Sequence, residues 1–200
     1  MARSQHPLVA ACATLLLFTA CASAGAGDSA APTPVHSSTP DAGESPAAPA
    51  EFVLPGCDDL FSESIEGALA AEGLEAMGDV SGPGQGGYGA SDPALQALIE
   101  ADPSVSCTWV LPGSERGLST SVTILSATEA ETVAEELDAS GFTRSTATGD
   151  LYSTETGGEF PRTEAHELYE GFWVATVDSF GTSASLYTED ALGTVIALNP

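Results

Sequence analysis

The chain has 200 residues, enough for one ordinary domain, and carries four arginines, no lysine and 29 acidic residues for a formal net charge of −25. Binding a phosphate backbone requires Lys and Arg to displace condensed counterions, so this composition excludes nucleic acid as a partner. The acidity itself reads as a solvated surface with diffuse cation association.

Residues 1–20 read as an export signal, because Arg3 precedes an apolar run over residues 8–18 that is too short to span a bilayer. "LFTAC" then fits a bacterial lipobox, whose small residues before the cysteine let Cys21 take a diacylglyceryl group before cleavage frees its amine. Phe18 departs from the pattern, standing where the lipobox usually has Leu, Val or Ile. Ala20-Cys21-Ala22 also fits an ordinary small-x-small cleavage site, which would give a secreted product. The tail after Cys21 favours lipidation. Residues 21–50 hold mainly Ala, Gly, Ser, Pro and Thr with no aromatic residue, too little apolar surface to order a chain. They read as a disordered tether with ends about 30 Å apart. That reach clears the roughly 8 Å over which an anionic leaflet repels an acidic domain at physiological salt.

Cysteine arithmetic agrees with export. Cys12 leaves with the signal and Cys21 becomes a thioether, so Cys57 and Cys107 remain as an even pair in an oxidising compartment. They predict one disulfide, since the paired C-x-x-C spacing of zinc sites is missing.

Residues 51–200 read as a single domain. In "DLFSESIEGALAAEG", Phe61, Ile65 and Leu69 recur every four residues, with Ser62 as cap and Gly73 or Gly78 as stop, so a helix is expected. "SVSCTWVLPGSERGLSTSVTILS" predicts two strands about a Pro-Gly turn. The second strand puts Leu118, Thr120, Val122 and Ile124 on one side and Ser and Thr on the other, the pattern of a hairpin with one wet face. "SATEAETVAEELDASG" predicts a helix with two capping-box options, Ser126 with Glu129 or Thr128 with Glu131, and an apolar stripe of Ala130, Val133, Ala134 and Leu137. "FTRSTAT" and "LYSTET" read as short polar strands, and "EAHELYEGFWVATVDSF" as two strands about Glu170-Gly171. The last segment, from Ala184, suits a helix, although "TVIAL" is β-branched enough for a strand. The order predicts an α+β fold: an antiparallel sheet of about five strands with two or three helices packed on it.

"CDDLFS", a capped helix, a loop and "CTWVLPG" entering a hairpin resemble the domain of small actinobacterial surface lipoproteins of unknown function. Those open with Cys-Asp-x-Leu and close a disulfide at a Cys-x-Trp strand, and the resemblance spans residues 57–125. It extends distantly to the extracytoplasmic sensor domains of mycobacterial receptor kinases and to envelope lipoproteins that accompany lipid transporters. What it implies is surface binding or sensing, with no catalytic residue, and the same Cys57–Cys107 bridge.

Sharper chemistry has weaker footing. "GPGQGG" over residues 82–87 matches G-x-G-x-x-G, but the dinucleotide fingerprint needs a strand before it and a helix directly after, and here Pro83 interrupts a stretch expected to follow a helix. His166 is the domain's only histidine and lies between Glu164 and Glu167, with no G-x-S-x-G elbow in the chain. Acid-rich segments such as "DSFGTSASLYTED" and "GDLYSTETGGE" lack EF-hand spacing, so no metal or cofactor is expected. Phe172 and Trp173 are neighbours in a strand and face opposite sides, so one of them faces outward or lies beneath a helix. Together with His166 they make the candidate ligand surface. The functional expectation is therefore a lipid-anchored, non-catalytic binding or sensing module on the outer face of the cell membrane, meeting an envelope protein, lipid or glycan. The alternative is a cell-wall hydrolase using His166 or a carboxylate pair.

Overall fold

The computed structural model describes residues 52–82, 84–145, 150–158, 161–180 and 183–200. The signal, Cys21 and the tether lie outside the described residues.

After a short 3-10 turn at Cys57–Asp59, the elements run α1 Glu63–Ala71, β1 Glu75–Asp79, α2 Pro93–Ala101, β2 Ser104–Val110, β3 Gly117–Ile124, α3 Ala127–Ala139, β4 Thr143–Ser145, β5 Asp150–Thr156, β6 Arg162–Tyr169, β7 Phe172–Asp178 and α4 Ala184–Leu198. All strands join one antiparallel sheet in the order β1-β2-β3-β7-β6-β5-β4. Two meanders, β1 to β3 and β4 to β7, meet at the β3–β7 pair, and α3 carries the chain from the centre out to the far edge.

The α+β class and the antiparallel sheet are as expected, but there are seven strands rather than about five and four helices rather than two or three. The hidden strand is β1, whose "EAMGD" is largely exposed and has no apolar alternation; its register comes from pairing to β2 at the sheet edge. The hidden helix is α2. Its signals were present: Asp92 accepts from the Ala94 N–H at 2.7 Å, Pro93 takes the first turn, and Leu95 and Ile99 are buried four residues apart. No helix among the described residues is long and apolar enough to cross a membrane.

Helices cover both faces of the sheet. On one face α1 and α4 pack Phe61, Ile65, Leu69, Ala191 and Val195 against Val105, Trp109, Leu118, Val122 and Val174. Ser62 stands at the cap of α1, yet its N–H and hydroxyl both donate to Asp190 of α4 at 2.8 Å, so it ties two helices together instead of closing one. The C-terminal segment is helical, and Gly193 sits in it with open space around its Cα. On the other face α2 and α3 pack Leu95, Ile99, Val133 and Leu137 against Tyr152, Trp173 and Ala175. Of the two capping boxes read in the sequence, Ser126 with Glu129 forms: the Glu129 N–H donates to Ser126 Oγ at 3.3 Å and the Ser126 N–H to Glu129 Oε2 at 2.7 Å.

The face expected to be wet is dry. Ser106 and Ser121 are fully buried, and they are small because the segment 87–91 runs directly across them. The Gly89 N–H donates to Ser121 Oγ at 2.9 Å, Ser121 Oγ shares a hydrogen with Ser106 Oγ at 2.7 Å, and the Thr108 hydroxyl donates to the Gly87 carbonyl at 3.2 Å. Ser121 and Thr108, whose hydroxyls alternation assigns to water, meet loop backbone instead, whereas the buried Thr123 hydroxyl has no hydrogen-bond partner among the described residues. A Cβ on Gly89 would overlap the Ala175 carbonyl and lie 2.9 Å from the Ser121 nitrogen. Gly89→Ala is therefore expected to lower stability by about 3 kcal/mol, as overpacking against backbone does. Gly193→Ala, in open helix, should raise it by about 0.5–1 kcal/mol. Thermal melts of the two variants check both signs.

The Cys57–Cys107 disulfide joins the first turn to β2, with Cys107 fully buried. At the other end of the sheet β6 turns into β7 through Glu170, at φ 42°, and Gly171, at φ 89°, the left-handed pair a tight hairpin requires.

Candidate functional site

Side chains alternate along a strand, so β6 presents Arg162, Glu164, His166 and Leu168 to one face. Arg162 is exposed at the strand's start, Glu164 is 5% exposed and His166 is fully buried. Cross-strand pairing sets His166 between Tyr152 of β5 and Ala175 of β7, with Phe142 edge-on to its ring at 4.9 Å.

These groups form a chain of hydrogen bonds from the core outward. The Trp173 indole N–H donates to His166 Nδ1 at 3.2 Å. An indole nitrogen can only donate, so Nδ1 accepts and the ring proton sits on Nε2, which donates to Glu164 Oε1 at 3.0 Å. The same carboxylate oxygen accepts from the Ser91 N–H at 3.0 Å, and Arg162 Nη1–H reaches Ser91 Oγ at 3.3 Å. Burial holds the His166 imidazole below its ordinary value against the pull of Glu164, so the ring is neutral at pH 7. Burial pushes the Glu164 carboxyl up, but the hydrogen bonds from His166 and Ser91 outweigh it, and the group stays ionised.

The three residues expected to form a ligand surface are thus all interior. Trp173 is fully buried on the α2/α3 side; Phe172 is 4% exposed on the other face, where Phe52 packs edge-on against it at 4.7 Å. The sequence rule that the neighbours face opposite ways holds, but both faces are covered, so neither ring is available to a ligand. His166 has both ring nitrogens committed and no hydroxyl or thiol on either, which leaves it no route to act as a general base.

The carboxylate pair nearest this network, Glu155 and Glu164, fares no better. Glu155 and Glu164 both line an open cleft of about 620 Å³ between β5, β6 and the start of α4. Glu155 pairs with Thr163 and Glu164 with Thr154, so the two side chains project from opposite faces of the sheet and cannot flank one bond. Glu164 is also held ionised, whereas a glycosidase acid needs a raised pKa. Among the described residues no three His, Cys, Asp or Glu side chains gather as metal ligands. The glycine run does follow a strand, β1, rather than a helix, which corrects the context read from the sequence. Still, β1 is an antiparallel edge strand and the first turn of α2 is already capped by Asp92, so no phosphate cradle results.

What the surface does offer lies around Arg162. A cleft of about 240 Å³ on one side of it is lined by Ser91, Thr154, Thr156 and Glu164. One of about 390 Å³ on the other brings in Ser114, Glu115, Arg116, Pro161 and Ser179. No motif marks these residues; the available signal was the scarcity of arginine in so acidic a chain. Comparison with protein-family models, with curated proteins and with solved structures finds no match to this chain.

Proposed function

We propose that the protein is a lipid-anchored, extracytoplasmic binding module of a bacterial envelope, held through Cys21 and without catalysis of its own. The observation that carries the non-catalytic part is the sealing of His166: the domain's one histidine serves as a buried link between Trp173 and Glu164. The disulfide fits an exported domain, because such bonds persist in oxidising compartments. The cleft of about 390 Å³ beside Arg162 supplies concave surface of the size that small ligands occupy. The sequence supports the anchor: a short apolar run, a lipobox cysteine and a spacer rich in Pro, Ser, Gly and Ala.

The mass of the native product decides the placement. The full chain expressed in a host that processes lipoproteins is expected in the membrane fraction, beginning at a diacylglyceryl-modified Cys21, with Cys21→Ala shifting it to the medium. Recovery of the unsubstituted protein wholly in the medium, its Cys21 sulfur unmodified, overturns the anchor. Release of soluble fragments from cell-wall glycan by the purified chain, abolished in Glu164→Gln, overturns the non-catalytic reading.

A further inference from the structure

Arginine is rare in this chain, and the three that fall among the described residues behave in two ways. In a molecule with 29 acidic residues, an exposed guanidinium is expected to find a carboxylate. Arg144 does, meeting Asp150 at 2.7 Å. Arg116 and Arg162 do not. Arg116 Nη2–H donates to the Phe180 carbonyl at 3.2 Å, with its guanidinium 4.3 Å above the Phe180 ring, and Arg162 rests on Ser91 Oγ. Among the described residues neither forms an ion pair, although Glu115 stands on the same rim.

Both line the cleft of about 390 Å³. A guanidinium has five N–H donors, and each of these spends one on a neutral acceptor that fixes its position, which leaves most of its donors unspent. The Ser114 hydroxyl accepts from the Arg116 backbone N–H at 2.9 Å and keeps its own proton to give. Arg116, Arg162 and Ser114 therefore line one concavity in a molecule whose overall field repels anions. Such a cleft selects an anion by short-range hydrogen bonds rather than by attraction at a distance.

We propose that this cleft binds a phosphoryl group. A carboxylate offers two oxygens, which one arginine fork satisfies, whereas a phosphoryl group presents three and so engages both forks and Ser114. The inference names a ligand class for the binding module proposed above and rests on that reading, but not on the lipid anchor. Because the acidic domain is repelled by anionic lipid, the ligand is a phosphoryl group in solution rather than a headgroup in the bilayer.

The test uses the full chain, taken from whichever fraction holds it, and inorganic phosphate as the probe. The arginine side-chain Nε–H resonances of Arg116 and Arg162 are expected to shift saturably while that of Arg144 stays put. Arg116→Gln and Arg162→Gln should each weaken the apparent Kd about tenfold or more. Acetate should bind more weakly than phosphate. Vesicles of phosphatidylglycerol are expected not to co-sediment the Cys21→Ala chain, which carries no anchor; co-sedimentation of that chain displaced by phosphate would keep the cleft and overturn its soluble source. The proposal falls if the Arg116 and Arg162 signals do not saturate, if both variants bind like the wild type, or if acetate matches phosphate. Arg144 serves as an internal reference in the unsubstituted protein, so the titration remains decisive even where a variant fails to fold. A chain that shows no phosphate shift and no glycan turnover loses this ligand and keeps its role as a module. One that turns over glycan loses the role itself.

Discussion

Serine at both Cys57 and Cys107 will lower the stability of the domain by about 4 kcal/mol and its Tm by about 10 °C. The bridge spans 50 residues of sequence, a loop that includes α1, β1 and α2, so its removal returns a large amount of freedom to the unfolded chain. Cys107 is also fully buried beneath α1, and the serine hydroxyl there meets apolar neighbours. Unfolding by denaturant with and without reductant measures the effect in the unsubstituted protein; equal midpoints in the two conditions would show that the bridge contributes nothing.

His166→Leu is the second large effect, a loss of about 3 kcal/mol. It removes the acceptor of the Trp173 indole N–H and the donor to the Glu164 carboxylate, both of which remain buried. His166→Gln, which can offer an acceptor and a donor, should recover part of that loss. The pair also separates titration from packing. Folding depresses the imidazole below its ordinary 6.5, so the unfolded chain takes up the proton first. The stabilising contribution is complete above pH 6.5 and is lost as the pH falls from there through the lower folded value. The slope reaches at most about 1.4 kcal/mol per pH unit, the limit for one proton. The depressed Glu164 adds a loss of the same sign at more acid pH, below its ordinary 4.5. Melting curves of the wild type are therefore expected to be flat above pH 6.5 and to decline below it, while His166→Gln stays flat until carboxylates protonate. A wild-type decline that begins no higher than in the variant would show that His166 takes its proton equally in both states.

Part of this was legible in the residues. The α3 helix announced itself through Ser126 and Glu129, whose reciprocal hydrogen bonds need no neighbour. The Glu170-Gly171 hairpin did so through its own backbone, and the Cys57–Cys107 pair through arithmetic. Local signals suffice where the stabilising partners are local. The edge strand β1 was silent because its residues are largely exposed and its register comes from β2. The hydroxyls of β2 and β3 misled because Thr108 and Ser121 meet the backbone of residues 87 and 89, far away in sequence, and Ser106 pairs with Ser121 beneath it.

The same division runs through the site. Sequence determined the α+β class, the disulfide, the opposed directions of Phe172 and Trp173, and the scarcity of positive charge. Only the tertiary structure decided that both sheet faces are covered, which turned three expected ligand contacts into core. It alone brought Arg116 and Arg162 to one cleft, since Arg116 lies in the β2–β3 turn and Arg162 46 positions on at the start of β6, and their meeting depends on the β3–β7 and β6–β7 pairings. Alternation tells which side of a strand a residue takes, but what lies over that side is set by chain that returns from elsewhere.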